Sequence, residues 1–350
     1  MSAPAPRPAT TVFTLCSNNY LAQATVLGRS VKRHNPGVTF VIVLVDRKTD
    51  QIDYAAIPFE VLPVESIEPQ TPELAQKYNI IELNTCVKPR VIEYLFTERN
   101  VDRAIYLDPD IKVFSPLSAV DEALEKSNVV LTPHTLTPIP LDGKSPGENA
   151  FLQFGTFNLG FVAMRRSDET IRLAAWWKQR TYAAGHIRPE NGVFVDQLYM
   201  NLVPIFFADV VTLRHAGCNM APWNLHERTL AVDNDGYRVN ASVPLVFFHF
   251  SSFRIDTREL PVHAYNRFSM RDRPDLVDLY RDYNDELKQA GYDRYRGIRW
   301  AYASGEAPRH RSALERRARS LCGKGVVWGI RHLPASVREQ AYRLFRDLRD

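Results

Sequence analysis

Short apolar runs alternate with amphipathic segments along the first 250 residues of the chain. Residues Val38–Val45 are apolar at nearly every position, which is typical of a strand in a parallel sheet that is covered on both faces. Leu21–Arg33 carries apolar side chains at helical spacing and ends before an Asn-Pro-Gly stop at residues 35–37. With the β-branched run Thr11–Cys16 in front, these segments predict a right-handed strand–helix–strand unit.

The same alternation continues downstream. Strands that alternate with helices predict an α/β fold, with a mostly parallel sheet flanked by helices. The Pro- and Gly-rich stretch 133–149 predicts a loop, and Pro89 is expected in the first turn of its helix. The further predicted strands are Phe59–Val64, Ala104–Leu107, Val129–Thr132, Leu159–Met164, Val210–Leu213 and Leu245–Phe250, and the predicted helices are Thr85–Phe96, Ile171–Ala183 and Val193–Leu202.

The pattern changes after Pro274, where strand-like runs disappear and helical segments rich in Arg and Tyr take their place. Apolar side chains recur at helical spacing over residues 337–348, which predicts an amphipathic last helix. We therefore expect a disordered tail at residues 1–10, one α/β domain at 11–270 and a basic helical region at 271–350.

Composition and charge narrow the class of protein. Of the 350 residues, 45% are hydrophobic and 24% are charged, as is usual for a globular protein, and the net charge of +4 does not favour nucleic acid as a partner. No segment reaches the ~20 apolar residues of a membrane span, and residues 1–9 lack the apolar core of a secretory signal. The four scattered cysteines suit a reducing compartment, so we predict a cytoplasmic protein.

The strongest candidate for chemistry is the sequence Asp108-Pro109-Asp110, which directly follows the predicted strand Ala104–Leu107. In an open α/β sheet, ligands bind beyond the carboxyl ends of the strands. Two carboxylates there can hold a hard divalent cation, which can neutralise the charge of a departing diphosphate. Asp-Pro-Asp is also good turn chemistry, so a purely structural turn is the alternative.

His249 is a second candidate, inside the apolar segment Leu245–Phe250. A lone His in such a strand is more often a core residue than a ligand, because His tolerates intermediate burial. Together with Asp108 and Asp110, His249 makes a candidate third metal ligand.

Six ordered segments resemble the retaining GT-A glycosyltransferases typified by glycogenin and the bacterial lipooligosaccharide galactosyltransferases. The resemblance covers residues 11–255 and includes features of a bacterial subgroup of surface-polysaccharide transferases. It implies the GT-A fold, a nucleotide-sugar donor with UDP favoured, and Mn²⁺ or Mg²⁺ as the metal. The segments are Leu15–Tyr20, Tyr106–Asp110, Gly155–Phe161, Phe194–Gln197, Cys218–Arg228 and His249–Ser252, with Lys88 as an additional basic residue.

The resemblance also implies a role for individual residues. Each has a structural alternative, such as a helix cap, a solvated lysine or a buried tryptophan. The implied residues are Asp108, Asp110 and His249 for the metal; Ser17, Asn19, Tyr20, Lys88 and Arg254 for the nucleotide; Asn158, Gly160, Trp223 and Asn224 for the donor sugar or acceptor; and Asp196 and Gln197 for catalysis.

The chain departs from the family's His-x-x-Gly-x-x-Lys-Pro-Trp motif. His249 is kept, but Ser252 stands at the Gly position and Ile255 at the Lys position. Arg254, one residue earlier, is the candidate for the phosphate contact. Closure of a lid over the diphosphate is the part of the resemblance with the least support in the sequence.

We therefore predict a metal-dependent glycosyltransferase that moves a sugar from a nucleotide-sugar to a glycan or lipid-linked glycan, with retention, in bacterial surface-polysaccharide synthesis. The acceptor attacks from the face of the leaving group, or Asp196 attacks first. A sugar nucleotidyltransferase is one alternative, although Cys16–Asn19 lacks the Gly-rich loop of that class. A catalytically inactive sugar-nucleotide-binding module is the other, and the three metal-ligand candidates argue against it.

The basic C-terminal region leaves two interpretations open. Basic residues outnumber acidic ones between Arg309 and Asp350. An amphipathic basic helix is typical of peripheral contact with an anionic membrane, where a lipid-linked acceptor would wait. Amphipathic helices also simply pack on a domain or on a second subunit, and the sequence does not decide between the two.

Overall fold

A computed structural model describes residues 9–255 and 265–303 of the chain. Within these ranges the strands are β1 (Thr10–Cys16), β2 (Thr39–Leu44), β3 (Glu60–Pro63), β4 (Arg103–Leu107), β5 (Ile111–Val113), β6 (Val129–Pro133), β7 (Phe157–Arg165), β8 (Ile187–Arg188), β9 (Val193–Phe194), β10 (Val210–Thr212), β11 (Leu230–Asp233), β12 (Gly236–Val239), β13 (Val243–Pro244) and β14 (Phe247–His249).

Ten α-helices lie in the described ranges, and short 3-10 helices connect several of them. The α-helices are α1 (Leu21–His34), α2 (Thr71–Lys77), α3 (Ile80–Cys86), α4 (Lys88–Thr97), α5 (Ser118–Lys126), α6 (Glu148–Phe154), α7 (Asp168–Ala184), α8 (Val203–Phe206), α9 (Val277–Gln289) and α10 (Tyr292–Tyr295).

The central sheet has seven strands in the order β10-β6-β7-β4-β1-β2-β3. Only β7 runs antiparallel to its neighbours β4 and β6, and the other pairs are parallel. The central strands are buried along nearly their whole length, because core clusters of apolar side chains cover both faces. The predicted α/β class with a mostly parallel, helix-flanked sheet is confirmed.

Two helix predictions need correction. The segment Thr85–Phe96 is divided between α3 and α4, with Pro89 in the first turn of α4 as expected. Val193–Leu202 is not one helix, because β9 pairs with β8 and the chain turns before it enters a 3-10 helix. Val195 has a φ of +42°, a conformation that a helix excludes and that a β-branched residue rarely adopts.

Other parts of the chain were not expected from the pattern. The predicted loop 133–149 leads into the helix α6, and β11, β12 and β13 form a small antiparallel sheet. The strand predicted at Leu245–Phe250 is shorter, since β14 covers three residues. These elements are brief, and their side chains alternate too few times to give a readable period.

Residues 274–289 and 292–295 are helical, as predicted for the region after Pro274. Helix α9 places Tyr283 against Phe250 with ring centroids 3.8 Å apart, so it belongs to the same core as the sheet. The compact unit continues to Tyr302. The proposed boundary at residue 270 and the tail 1–10 stay predictions, and the amphipathic segment 337–348 lies outside the described residues.

No helix in the described ranges is both long and apolar enough to cross a membrane. Cys16, Cys86 and Cys218 are buried free thiols, while Cys322 lies outside the described residues.

Candidate functional site

The candidate site lies where the parallel strands of the main sheet end. Asp108 and Asp110 follow β4, and the backbone N–H of Ile111 donates to the carbonyl of Asp108 at 3.0 Å, which closes a tight turn. Because β7 runs antiparallel, its amino end lies at the same edge as the carboxyl end of β4. The N–H of Asp108 therefore donates to the carbonyl of Gly160 at 2.8 Å.

Pairing of two short strands brings His249 to this turn. β14 is antiparallel to β5, and His249 lies opposite Ile111. The N–H of Phe250 then donates to the carbonyl of Asp110 at 2.9 Å. These backbone bonds place residues 139 positions apart in the sequence beside each other, since 249 − 110 = 139.

Asp108, Asp110 and His249 form one cluster, as the sequence predicts. One ligand atom from each lies within 4.8 Å of the others. Nε2 of His249 is 3.1 Å from Oδ1 of Asp110 and 3.7 Å from Oδ2 of Asp108. The imidazole is almost fully buried, whereas the two carboxylates are partly exposed, so the cluster is reached from the carboxylate side.

The electrostatics of the cluster favour an additional positive charge. Burial raises the pKa of Asp108, and nearby Asp110 raises it further, although Lys88 and His249 oppose the change. Burial lowers the pKa of His249, but the carboxylates of Asp110 and Asp108 outweigh it and leave that pKa raised. The hydroxyl of Tyr106 donates to Oδ1 of Asp108 and fixes that carboxylate.

Lys88 is surrounded by other groups of the protein. Its ammonium lies 2.7 Å from Oδ2 of Asp196, donates to the carbonyl of Leu159 at 2.8 Å, and stands 4.0 Å from the ring centroid of Tyr106. The side chain is only 1% exposed, so these three partners enclose it. The role of Lys88 at the nucleotide stays a prediction, and the structure adds a direct ion pair between Lys88 and Asp196.

Asp196 and Gln197 are held at the site by their neighbours. Nε1 of Trp177 donates to the carbonyl of Asp196 at 3.0 Å. The amide of Gln197 accepts from the N–H of Leu159 and donates to the carbonyl of Phe154, both at 2.9 Å. Gln197 thus closes the turn between α6 and β7. Burial raises the pKa of Asp196, although Lys88 lowers it in part.

The segment that we expect to contact the nucleotide, which carries Ser17, Asn19 and Tyr20, directly follows β1. Ser17 is buried and its hydroxyl donates to the carbonyl of Val45 at 3.2 Å, while Asn19 is partly exposed. Tyr20 is 42% exposed and lines a small cavity together with Asp110. Burial of its hydroxyl, together with nearby Asp110, raises the pKa of Tyr20 to about 12. The segment after β1 and the acidic cluster therefore border the same small cavity.

Asp46 and Asn18 are polar residues at this edge that the sequence reasoning missed. The carboxylate of Asp46 accepts from the backbone N–H groups of Asn18, Arg47 and Ala301 at 3.2, 2.9 and 2.9 Å. Trp300 donates from Nε1 to the carbonyl of Val45 at 3.2 Å. An acid directly after the second strand is a known feature of nucleotide-binding βαβ units, so its position was the available signal.

The segment after Cys218 carries two predicted site residues, Trp223 and Asn224. Trp223 packs its ring edge-on to His249, with centroids 5.1 Å apart. Asn224 is fully buried, bonds to Ala221 and Asn219 within its own loop, and donates to the carbonyl of His134 at 3.0 Å. The contact of Asn224 with the donor sugar or acceptor stays a prediction.

Asn158 and Gly160 lie directly against His249. Oδ1 of Asn158 is 3.2 Å from Nδ1 of His249, and Asn158 is 7% exposed. A Cβ at Gly160 would lie 2.4 Å from Cε1 of His249, so only glycine allows this approach. Arg254 is exposed, and the segment 256–264 that follows it lies outside the described residues. Closure of a lid over the diphosphate stays a prediction.

No protein-family model matches the chain. Two proteins of Bacillus subtilis (strain 168), both described as uncharacterized, are similar to it along most of their length. YfnF is 23% identical over 278 residues, which are 78% of this chain and 90% of YfnF. YfnD is 24% identical over 305 residues, which are 85% of this chain and 94% of YfnD.

Among solved structures, the galactosyltransferase LgtC in complex with donor and acceptor sugar analogues aligns at a TM-score of 0.47 with 15% identity. The alignment covers 80% of this chain and 95% of LgtC. An active-site mutant of the same galactosyltransferase aligns at a TM-score of 0.47 with 16% identity, over 80% of this chain and 95% of the mutant.

Proposed function

We propose that the chain is a metal-dependent glycosyltransferase with a nucleotide-sugar donor. One observation carries the proposal: the ligand atoms of Asp108, Asp110 and His249 lie within 4.8 Å of one another at the carboxyl end of β4. Binding sites of open α/β folds lie at this edge. The ordered motifs that resemble the retaining GT-A enzymes support the same assignment.

The donor set fits the divalent metal that the resemblance implies. Two carboxylates supply hard oxygen ligands, and the buried imidazole supplies one nitrogen that faces them. Oxygen ligands suit both Mg²⁺ and Mn²⁺, and the nitrogen favours Mn²⁺ of the two. Such a cation, when bound, neutralises charge on the departing diphosphate.

The remaining residues are assigned by their place around this cluster. We assign Ser17, Asn19 and Tyr20 to the nucleotide, because Tyr20 lines the cavity beside Asp110. Arg254 is the proposed contact to phosphate, since it is exposed and follows β14 by five positions, 254 − 249 = 5.

Asp196 is assigned to the donor sugar, with Gln197 beside it. Lys88 holds Oδ2 of Asp196 at 2.7 Å, and the carboxylate is 2% exposed. A carboxylate fixed in this way is suited to orient a sugar hydroxyl through its other oxygen. Attack by the acceptor from the face of the leaving group, with retention, is therefore our proposed course rather than attack by Asp196.

The acceptor class follows only from the resemblance. We propose a glycan or a lipid-linked glycan of the bacterial surface, with the basic region 271–350 in peripheral contact with an anionic membrane. Trp223 is buried beside His249, and we assign it to the acceptor side of the site on the resemblance.

A thermal-shift panel tests the donor site. UDP, GDP, CDP, ADP and dTDP are each added with and without Mn²⁺, because a ligand that binds only the folded state raises the melting temperature. We expect one diphosphate to stabilise the protein only when Mn²⁺ is present. Asp110→Ala should abolish this shift, whereas Asp235→Ala, an exposed acid in the β11–β12 turn, should keep it.

Each other outcome has a definite meaning. An unchanged shift in Asp110→Ala would refute the metal assignment. If a nucleoside triphosphate added to the same assay stabilised the protein and no diphosphate did, the sugar nucleotidyltransferase would be favoured. Binding of a nucleotide-sugar without release of the sugar to water or to any glycan would favour a binding module.

A further inference from the structure

A row of hydrogen-bonding side chains leads from the acidic cluster into the core. Nδ1 of His249 is 3.2 Å from Oδ1 of Asn158. Nδ2 of Asn158 is 3.5 Å from Nε2 of His134, whose Nδ1 lies 3.3 Å from the carbonyl of Thr156. All three side chains of the row are buried, so water does not offer them alternative partners.

The donor and the acceptor of each hydrogen bond in the row follow from its inner end, at the carbonyl of Thr156. The carbonyl of Thr156 only accepts hydrogen bonds, so Nδ1 of His134 carries the proton and Nε2 of the neutral ring is an acceptor. The amide group of Asn158 then donates to His134 through Nδ2. Its oxygen must consequently face His249, which makes Nδ1 of that imidazole the donor and leaves Nε2 toward the carboxylates.

Packing holds each member of the row in place. The ring of His134 stacks on Phe151 with centroids 4.8 Å apart, and Trp223 stands edge-on to both histidines. The backbone N–H of His134 donates to the carbonyl of Thr156 at 2.9 Å. Burial lowers the pKa of His134 to about 4, which agrees with a neutral ring.

The lack of a side chain at Gly160 makes room for the contact between His249 and Asn158. A Cβ on that residue would lie 2.9 Å from Oδ1 of Asn158 and 2.7 Å from Nδ1 of His249. The two polar atoms therefore meet only because residue 160 has no side chain.

We propose that Asn158 and His134 are positioning residues that fix His249 as the Nδ1–H tautomer and so present Nε2 to a divalent cation. The inference rests on the proposed function, because the cation is the divalent metal that we assign to Asp108 and Asp110. It gives Asn158 a role through His249, distinct from the contact with the donor sugar that the resemblance implies. Nothing in the row requires a bound sugar.

Metal affinity is the first measurement, made on the full-length protein after metal removal. Free Mn²⁺ is followed by electron paramagnetic resonance during titration. Asn158→Leu should weaken Mn²⁺ binding by about 10- to 100-fold, as is usual when the partner of a ligating histidine is lost. Asn158→Asp keeps an oxygen that accepts from Nδ1 of His249 and should stay close to wild type.

The tautomer is the second measurement, since a merely structural role would leave it unchanged. In ¹⁵N-histidine-labelled, Zn²⁺-loaded protein, His249 should show a protonated Nδ1 and a metal-bound Nε2. His134→Gln, which loses the fixed acceptor for Nδ2 of Asn158, should broaden or divide that signal. Circular dichroism and melting temperature confirm that each variant is folded.

The results separate this inference from the proposed function. Wild-type Mn²⁺ affinity in folded Asn158→Leu, or metal bound through Nδ1, would overturn the positioning role even if nucleotides bind. Weakened Mn²⁺ binding in Asn158→Leu, together with near-wild-type binding and an intact tautomer signature in Asn158→Asp, would support it even if no nucleoside diphosphate binds. A wild-type protein that binds neither Mn²⁺ nor Zn²⁺ would refute it outright.

Discussion

The ammonium of Lys88 lies 2.7 Å from Oδ2 of Asp196, and both side chains are at most 2% exposed. The pair connects the first turn of α4 to the loop after β9 and stands beside the acidic cluster. Removing water from two charges is costly, and their attraction together with additional bonds offsets that cost. Here the carbonyl of Leu159 and the face of Tyr106 complete the surroundings of the ammonium.

The first prediction concerns the loss of this cation. Lys88→Met should lower the free energy of unfolding by roughly 3–5 kcal/mol, because it leaves the Asp196 carboxylate buried without its partner. Urea denaturation measures the change. The matched control is Lys178→Met, because the pair between Lys178 and Glu93 is partly exposed and should contribute only about 1 kcal/mol or less.

The double variant Lys88→Met/Asp196→Asn tests the same relationship by a thermodynamic cycle. It should lose less stability than the sum of the two single variants, since the second change removes the stranded charge. Additive losses would contradict a direct pair.

The parts of the fold that the sequence predicted are those with a strong local pattern. The strands β1, β2 and β4 are continuous apolar runs, and α1 and α7 show helical periodicity over many residues. Burial in the sheet or against it therefore produces a pattern that can be recognised in the sequence. The turn at Asp108 and Asp110 was readable for the same reason, since it directly follows such a run.

The parts that could not be predicted depend on long-range pairing. Lys88 and Asp196 are far apart in the sequence, and nothing near either residue indicates the other. His134 was overlooked because a lone His in a Pro-rich stretch has no period and no motif. The helix predicted at Val193–Leu202 does not form, because Val195 has a φ of +42°. Tertiary contacts set this conformation, and helix propensity does not include them.

The second prediction concerns Gly160. A Cβ there would lie 2.4 Å from Cε1 of His249, so Gly160→Ala must displace the imidazole. Overpacking of this kind costs about 1–3 kcal/mol of stability, and the displaced ligand should weaken Mn²⁺ binding. Gly37→Ala is the control, because a Cβ at Gly37 meets no atom within 4 Å. Equal Mn²⁺ affinity in both variants would show that the imidazole adapts or does not ligate.

The third prediction concerns thiol reactivity. Burial raises the pKa of Cys86 and of Cys218 to about 12, and it also raises the pKa of Cys16. The thiolate is the reactive form, so these three residues should be inert in the native state. In Cys322→Ser, an aromatic disulfide reagent should titrate no thiol before denaturant is added and three afterwards. Rapid reaction without denaturant would show that the cores open readily.

The fourth prediction concerns pH and His134. Burial lowers the pKa of this imidazole to about 4 in the folded state, whereas it is about 6.5 in an unfolded chain. The unfolded state therefore binds the proton first, and the stabilisation that is complete above pH 6.5 is lost as the pH falls toward 4. Between pH 7 and pH 5 the wild type should lose about 2 kcal/mol more than His134→Gln in urea denaturation, because the variant has no proton to bind there. Carboxylates titrate in both proteins and cancel in the comparison. Parallel losses in wild type and variant would mean that the imidazole is protonated in the folded state, and Nε2 of His134 would then be unable to accept from Asn158.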